Sequence, residues 1–179
     1  MKRGWARLAV LAAIAGAVTG CANLPAPMAP PGVLSGRLAL KVDAHDREPA
    51  HSMNANFELS GDAGKGELNL ATPLGTTLAR ARWQPGEALL TTSQGEARYG
   101  DLADLAEAAF GERIPLEVLP DWLRGHPWAG AASHPQASPA GFVQLGWTID
   151  LSRMGEGWII ASRKAPPAVL LRAKLDAGS

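Results

Sequence analysis

With 179 residues, 17 basic against 17 acidic side chains and one cysteine, the chain is long enough to bury the core of one domain. It has no cationic excess to hold nucleic acid and no second thiol for an internal disulfide. Packing alone must hold the fold.

The N-terminus carries Lys2, Arg3 and Arg7, then an apolar run from Leu8 to Val18 and small residues leading to Cys21. A basic stretch followed by such a run reads as a signal peptide over residues 1–20. Val18-Thr19-Gly20-Cys21 has the lipobox pattern of a bacterial lipoprotein, in which the cysteine is acylated and becomes the first mature residue. Eleven apolar residues fall well short of the roughly 20 needed to cross a bilayer, so lipid on Cys21 is the expected anchor. Removal of residues 1–20 takes three basic residues away and leaves 14 against 17 acidic ones, a net charge of −3. Residues 22–32 hold four prolines and no charge, as in an extended tether. The domain is expected to follow over residues 33–179.

From Val33 the hydrophobic period becomes two. Leu34, Leu38, Leu40 and Val42 face one way, and Met53, Ala55, Phe57 and Leu59 repeat the pattern after a polar turn containing His45 and His51. Strands over 67–71, 76–83, 87–93 and 96–99, separated by Gly-rich turns, complete an antiparallel meander. At Asp101 the period changes to that of a helix. Leu102, Leu105, Ala106, Ala109 and Phe110 form one face, Asp101 can cap the start, and Gly111 can end it. A second helical stretch is expected over 116–124, with Pro120 splitting it into two turns. Residues 126–141 read as a loop. Alternation through Val143, Leu145, Trp147, Ile149 and Leu151 predicts a strand, followed by one from Trp158 and a last one over 169–175. Strands, then helices, then strands predict an α+β fold with one large antiparallel sheet.

No catalytic or metal constellation is visible. His45, His51, His126 and His134 lack H-x-x-x-H spacing, and there is no C-x-x-C, G-x-S-x-G, P-loop or dinucleotide fingerprint. Neither an enzyme nor a cofactor is expected. Asp101, Asp104 and Glu107, and likewise Arg80 and Arg82, read as solvated faces. Tryptophan and leucine facing inward on a curved sheet could be a filled core or the wall of an apolar cavity, and composition does not choose between them.

Ala71-Thr72-Pro73-Leu74-Gly75-Thr76-Thr77-Leu78 and the stretch from Ile114-Pro115-Leu116 through Asp121-Trp122-Leu123-Arg124-Gly125 resemble the LolB family, outer-membrane lipoproteins that receive lipoproteins from a periplasmic carrier. The lipobox, Gly36-Arg37-Leu38 and Gly157-Trp158 fall in matching order. The resemblance implies an incomplete antiparallel β-barrel around an apolar cavity, with helices as a lid, and a periplasm-facing protein held in the outer membrane by lipid. It implies a membrane-insertion loop in which Pro73 and Gly75 present Leu74. Ala22, rather than Asp, fits the enterobacterial rule for export to the outer membrane. Inward parity places Leu38, Leu40, Phe57, Leu59, Leu78, Trp83, Leu105, Trp122, Leu123, Trp147 and Ile149 on the cavity wall. The implied partners are a LolA-like carrier, the acyl chains of cargo lipoproteins and outer-membrane phospholipid, met by a monomer. The alternative is a structural lipoprotein with a filled β-core that scaffolds an envelope assembly.

Overall fold

The computed structural model describes residues 32–178. Cys21, the signal segment 1–20 and the tether through residue 31 lie outside the described residues.

Alternation builds the first half. Strand β1 (Leu34–Val42) buries Leu34, Leu38, Leu40 and Val42 and turns Arg37 and Lys41 to water. β2 (His51–Gly61) buries Ala55, Phe57 and Leu59 on the same face. β3 (Gly66–Ala71), β4 (Thr77–Gln84), β5 (Glu87–Thr92) and β6 (Gly95–Tyr99) continue the meander. Helix α1 (Leu102–Phe110) starts where the Asp101 carboxylate accepts from the Asp104 amide at 2.8 Å, and ends at Gly111, whose left-handed φ of 71° a bulkier residue would resist. A 3₁₀ turn at Leu116–Val118 runs into the short α2 (Leu119–Leu123), the two-turn element expected around Pro120. β7 (Ser133–Ala137), β8 (Ala140–Gln144), β9 (Trp147–Asp150), β10 (Trp158–Arg163) and β11 (Val169–Leu175) complete the chain.

All eleven strands form one antiparallel sheet in the order β6-β5-β4-β3-β2-β1-β11-β10-β9-β8-β7. β1 is the seam: Leu38 pairs with Ala55 of β2 on one side and with Ala173 of β11 on the other. The sheet is curved and unclosed, with β6 and β7 as its edges. Because neighbours run antiparallel, the connections alternate between two rims. Gly32, the turns 62–65 and 85–86, the connections 138–139 and 151–157 and the end of β11 share one, the tether rim. The connections 43–50, 72–76, 93–94, 145–146 and 164–168 share the other, the free rim.

Four expectations give way. The loop over 126–141 contains β7 and the first two residues of β8. Pro135 and the surrounding small residues hide an edge strand, where a missing N–H can face solvent. Leu145 is not a strand residue but half of a two-residue turn, so Gln144 pairs with Trp147 and both face inward; Phe142 and Gln144, not Val143, are buried. His51 opens β2, with its Nε2 2.8 Å from the carbonyl of Phe110. Finally, Leu78 does not face inward. β4 buries Ala79, Ala81 and Trp83, and the opposite parity leaves Leu78 39% exposed on the outer side.

Candidate functional site

The inner face of the sheet is apolar along almost its whole width. Leu38 and Leu40 of β1, Phe57 and Leu59 of β2, Trp83 of β4, and Trp147 and Ile149 of β9 all lie on it and are buried. Leu105 of α1 and Trp122 and Leu123 of α2 pack onto it from the helical side. These ten of the eleven residues expected on a cavity wall join one buried cluster; Leu78 stands apart on the outer side. Leu105, Leu116 and Val118 are wholly buried, so the helices close the inner face tightly. Two clefts lie outside this face. One of about 650 Å³ lies on the outer side of β2 to β5, among Ser60, Glu67, Arg82 and Leu89, and one of about 450 Å³ lies outside β1, β2 and β11.

Two polar features fasten the helical cover. Gln144, 1% exposed, uses its whole amide: Oε1 accepts from Trp122 Nε1 and from the Trp128 amide, each at 2.9 Å, while Nε2 donates to the carbonyls of Trp128 at 2.7 Å and Ala131 at 2.9 Å. It ties α2 and the segment behind it to β8. Trp122 also meets Trp147 with ring centroids 6.1 Å apart at a 52° tilt, a favourable aromatic geometry. The second fastening is Arg163 at the end of β10. Its Nη2 lies 3.1 Å from Glu112 Oε1 and donates to the Pro167 carbonyl at 3.0 Å, and its guanidinium sits 5.5 Å from the Trp147 ring centroid. Both side chains of this pair are mostly sheltered, 17% and 13% exposed, so water screens the pair weakly. Sequence reading missed Gln144, Arg163 and Glu112. Leu145-Gly146 was the available signal, because an x-Gly pair between alternating runs marks a hairpin and resets the parity around it.

The acidic face of α1 is engaged as well. Arg113 bonds Glu107 at 2.8 Å and Asp104 at 2.5 Å. At the tether rim the connections 62–65 and 151–157 are charged. The amides of Lys65 and Gly64 hold the Asp62 carboxyl below its usual range, and Arg153 does the same for Glu156.

The loop at 72–76 is built to project. The Gly75 amide donates to the Thr72 carbonyl at 2.9 Å, the Thr72 amide to the Thr76 carbonyl at 2.8 Å, and the Thr76 amide to Thr72 Oγ1 at 3.1 Å. Gly75 takes φ 88°. Held this way, Leu74 is 95% exposed. A leucine so placed loses the roughly 1.5–3 kcal/mol that burial would supply.

The sequence matches one family over nearly all of the domain. The family model for outer membrane lipoprotein LolB matches residues 33–174. The outer-membrane lipoprotein LolB of Bordetella parapertussis is 36% identical over 175 residues, covering 90% of this chain and 87% of the relative. That of Thiobacillus denitrificans is 32% identical over 183 residues, covering 95% and 92%, and that of Chromobacterium violaceum is 28% identical over 156 residues, covering 82% and 83%. The chain belongs to the LolB family of outer-membrane lipoproteins.

Proposed function

We propose that this protein, anchored by acyl groups on Cys21, accepts lipoproteins from a soluble LolA-like carrier and releases them into the inner leaflet of the outer membrane. The incoming acyl chains would lie against Leu38, Leu40, Phe57, Leu59, Trp83, Trp147 and Ile149, once α1 and α2 with Leu105, Trp122 and Leu123 lift off them. No covalent chemistry is needed. Each buried methylene is worth about 0.8 kcal/mol, and every 1.4 kcal/mol is a tenfold shift. A few more methylenes covered at each station therefore drive transfer in one direction. Pro73 and Gly75 present Leu74 to the bilayer for the release step.

The observation that carries this reading is Leu74, held rigidly in an uncharged turn and 95% exposed. The test reconstitutes the acylated chain in phospholipid vesicles and adds a lipoprotein-loaded carrier. Cargo should move to the vesicles with the parent protein. With Leu74→Glu it should leave the carrier, remain crosslinkable to the protein and fail to enter lipid. Equal delivery by both would remove the loop's role.

The tight packing of the inner face favours a second reading, a lipoprotein whose filled β-core only scaffolds an envelope assembly. It predicts that no cargo leaves the carrier at all.

A further inference from the structure

The large hydrophobic side chains that stand exposed among the described residues are Leu74, Leu78 and Leu145, and all three lie at the free rim. Leu74 tips the connection from β3 to β4, Leu78 is the second residue of β4, and Leu145 forms the turn from β8 to β9. Resting on the reading of Leu74 given above, we propose that Leu145 is a second lipid-contacting residue and that the free rim is the surface this protein sets down on a phospholipid bilayer.

Leu145 is placed against two physical preferences at once. The turn Leu145-Gly146 has φ 52° and 77°, both in the left-handed region, as in a type I′ hairpin turn. Asn, Asp or Gly suits the first position, while leucine's Cβ is strained there. Leucine gains only partial shelter in return, since it is 46% exposed. A residue that costs the fold both strain and exposed apolar surface points to an occupant outside the chain.

The uncharged surroundings of the two leucine tips point to the occupant. At the free rim, the leucine-bearing connections 72–76 and 145–146, and likewise 93–94 and 165–168, contain no charged residue; at the tether rim 62–65 and 151–157 carry Asp62, Lys65, Arg153 and Glu156, while 85–86 and 138–139 carry none. Uncharged tips can enter the boundary between headgroups and acyl chains without stripping water from an ion. The exceptions are the connection 43–50, with Asp43, Asp46, Arg47 and Glu48, Lys164 beside Ala165, and Glu112 and Arg113 after α1, next to Arg163; these would remain among hydrated headgroups. In sheet order β2, β1, β11 and β10 separate the Leu74 loop from the Leu145 turn. Single leucines so far apart suit a bilayer. A protein partner needs a contiguous patch of about 800 Å². Two separated footings also fix the tilt of the domain, which one cannot.

The full acylated chain allows a direct test, because Cys21 is its only native cysteine and a new thiol can be labelled uniquely. Leu145→Cys carrying an environment-sensitive NBD group, in phosphatidylethanolamine and phosphatidylglycerol vesicles, should brighten several-fold and be quenched by nitroxide-labelled lipid. The same label at Leu74→Cys should respond alike, and at Gly155→Cys on the tether rim it should stay in water. A silent label at 145 beside a responsive one at 74 overturns this proposal and spares the reading of Leu74; silence at both overturns that reading too. A response at 145 that needs added carrier, or that rises with protein concentration without lipid, assigns the turn to a protein and also overturns the proposal. Leu145→Asn supplies an independent arm: it should melt no earlier than the parent yet deliver lipoprotein several-fold more slowly, and delivery at the parent rate counts against the proposal.

Discussion

Trp122 donates its indole N–H to the Oε1 of Gln144 at 2.9 Å, and through this bond a short helix is held to the sheet. Replacing Gln144 with Leu would leave that indole, the Trp128 amide and the carbonyls of Trp128 and Ala131 without their partner. Unmet buried polar groups cost about 1–3 kcal/mol each. With partial recovery by water, the expected loss is on the order of 3 kcal/mol, or roughly 6–12 °C in melting temperature for a domain of this size. Thermal unfolding followed by near-ultraviolet circular dichroism measures it; a variant as stable as the parent would show that Gln144 does not fasten the helix.

Gly66 lies against Trp83 so closely that a Cβ would sit 2.3 Å from the ring's Cζ2. Gly66→Ala should therefore destabilise by about 1–3 kcal/mol, as overpacking generally does. Trp83→Leu, which removes the ring and its bond to the Asp62 carbonyl, has its own cost. In that background Gly66→Ala should cost less, the remainder coming from the Ser60 carbonyl oxygen 2.8 Å from the same Cβ. A double-mutant cycle by urea unfolding reads the coupling, and additive costs would place the effect elsewhere.

Glu112→Gln keeps the shape of the side chain and removes its charge opposite Arg163. The pair joins the segment after α1 to the end of β10. Stability should fall by about 1.5–3 kcal/mol, the range of hydrogen bonds to charged groups. If the pair latches the helical cover, amide exchange in α1 rises while exchange in β1 and β11 stays slow, and cargo leaves the carrier faster. Exchange that rises uniformly would mark the pair as a general support of the fold.

The meander from β1 to β6 was legible because each strand buries one face, so Leu38 and Leu40 or Phe57 and Leu59 declare their side by spacing alone. Asp101 and Gly111 likewise framed α1, since their caps are local chemistry. The β7–β8 hairpin was not legible. Ser133 to Ala137 contributes little apolar surface at the sheet edge, so His134 and Pro135 resemble loop. Leu145 misled for a related reason: a hydrophobic residue at a turn tip extends the alternation of its neighbours and conceals the reversal. Leu78 shows the limit of parity counted across a loop. Only the inward place of Trp83 sets the phase of β4, and Leu78 is out of step with it. Gln144 could be counted as a strand residue, but its four partner groups belong to Trp122, Trp128 and Ala131, in irregular chain and a short helix 13 to 22 residues earlier.

The length of the tether is open to a separate test. Removing residues 25–28 should leave unloading of the carrier intact and reduce delivery into vesicles several-fold, and a flexible Gly/Ser insert of equal length should restore delivery. Measuring cargo on the protein and cargo in lipid separately distinguishes the steps. Unchanged delivery from the shortened chain would show that the anchor and the free rim need not meet the same bilayer.

That expectation comes from Gly32, whose carbonyl accepts from Arg124 Nη2 at 3.3 Å at the rim opposite Leu74. β1, with nine residues, spans about 30 Å, and the stretch from Cys21 to Gly32 can reach at most about 35–40 Å. Upright over its anchor, the domain would hold Leu74 tens of ångströms out in the periplasm, where a soluble carrier arrives. Swung over about Gly32, it would bring the same leucine down to the lipid with almost no slack left. Acceptance and release would then be two poses of one rigid body on a short leash, and the reach of that leash would decide how deep the domain can stoop.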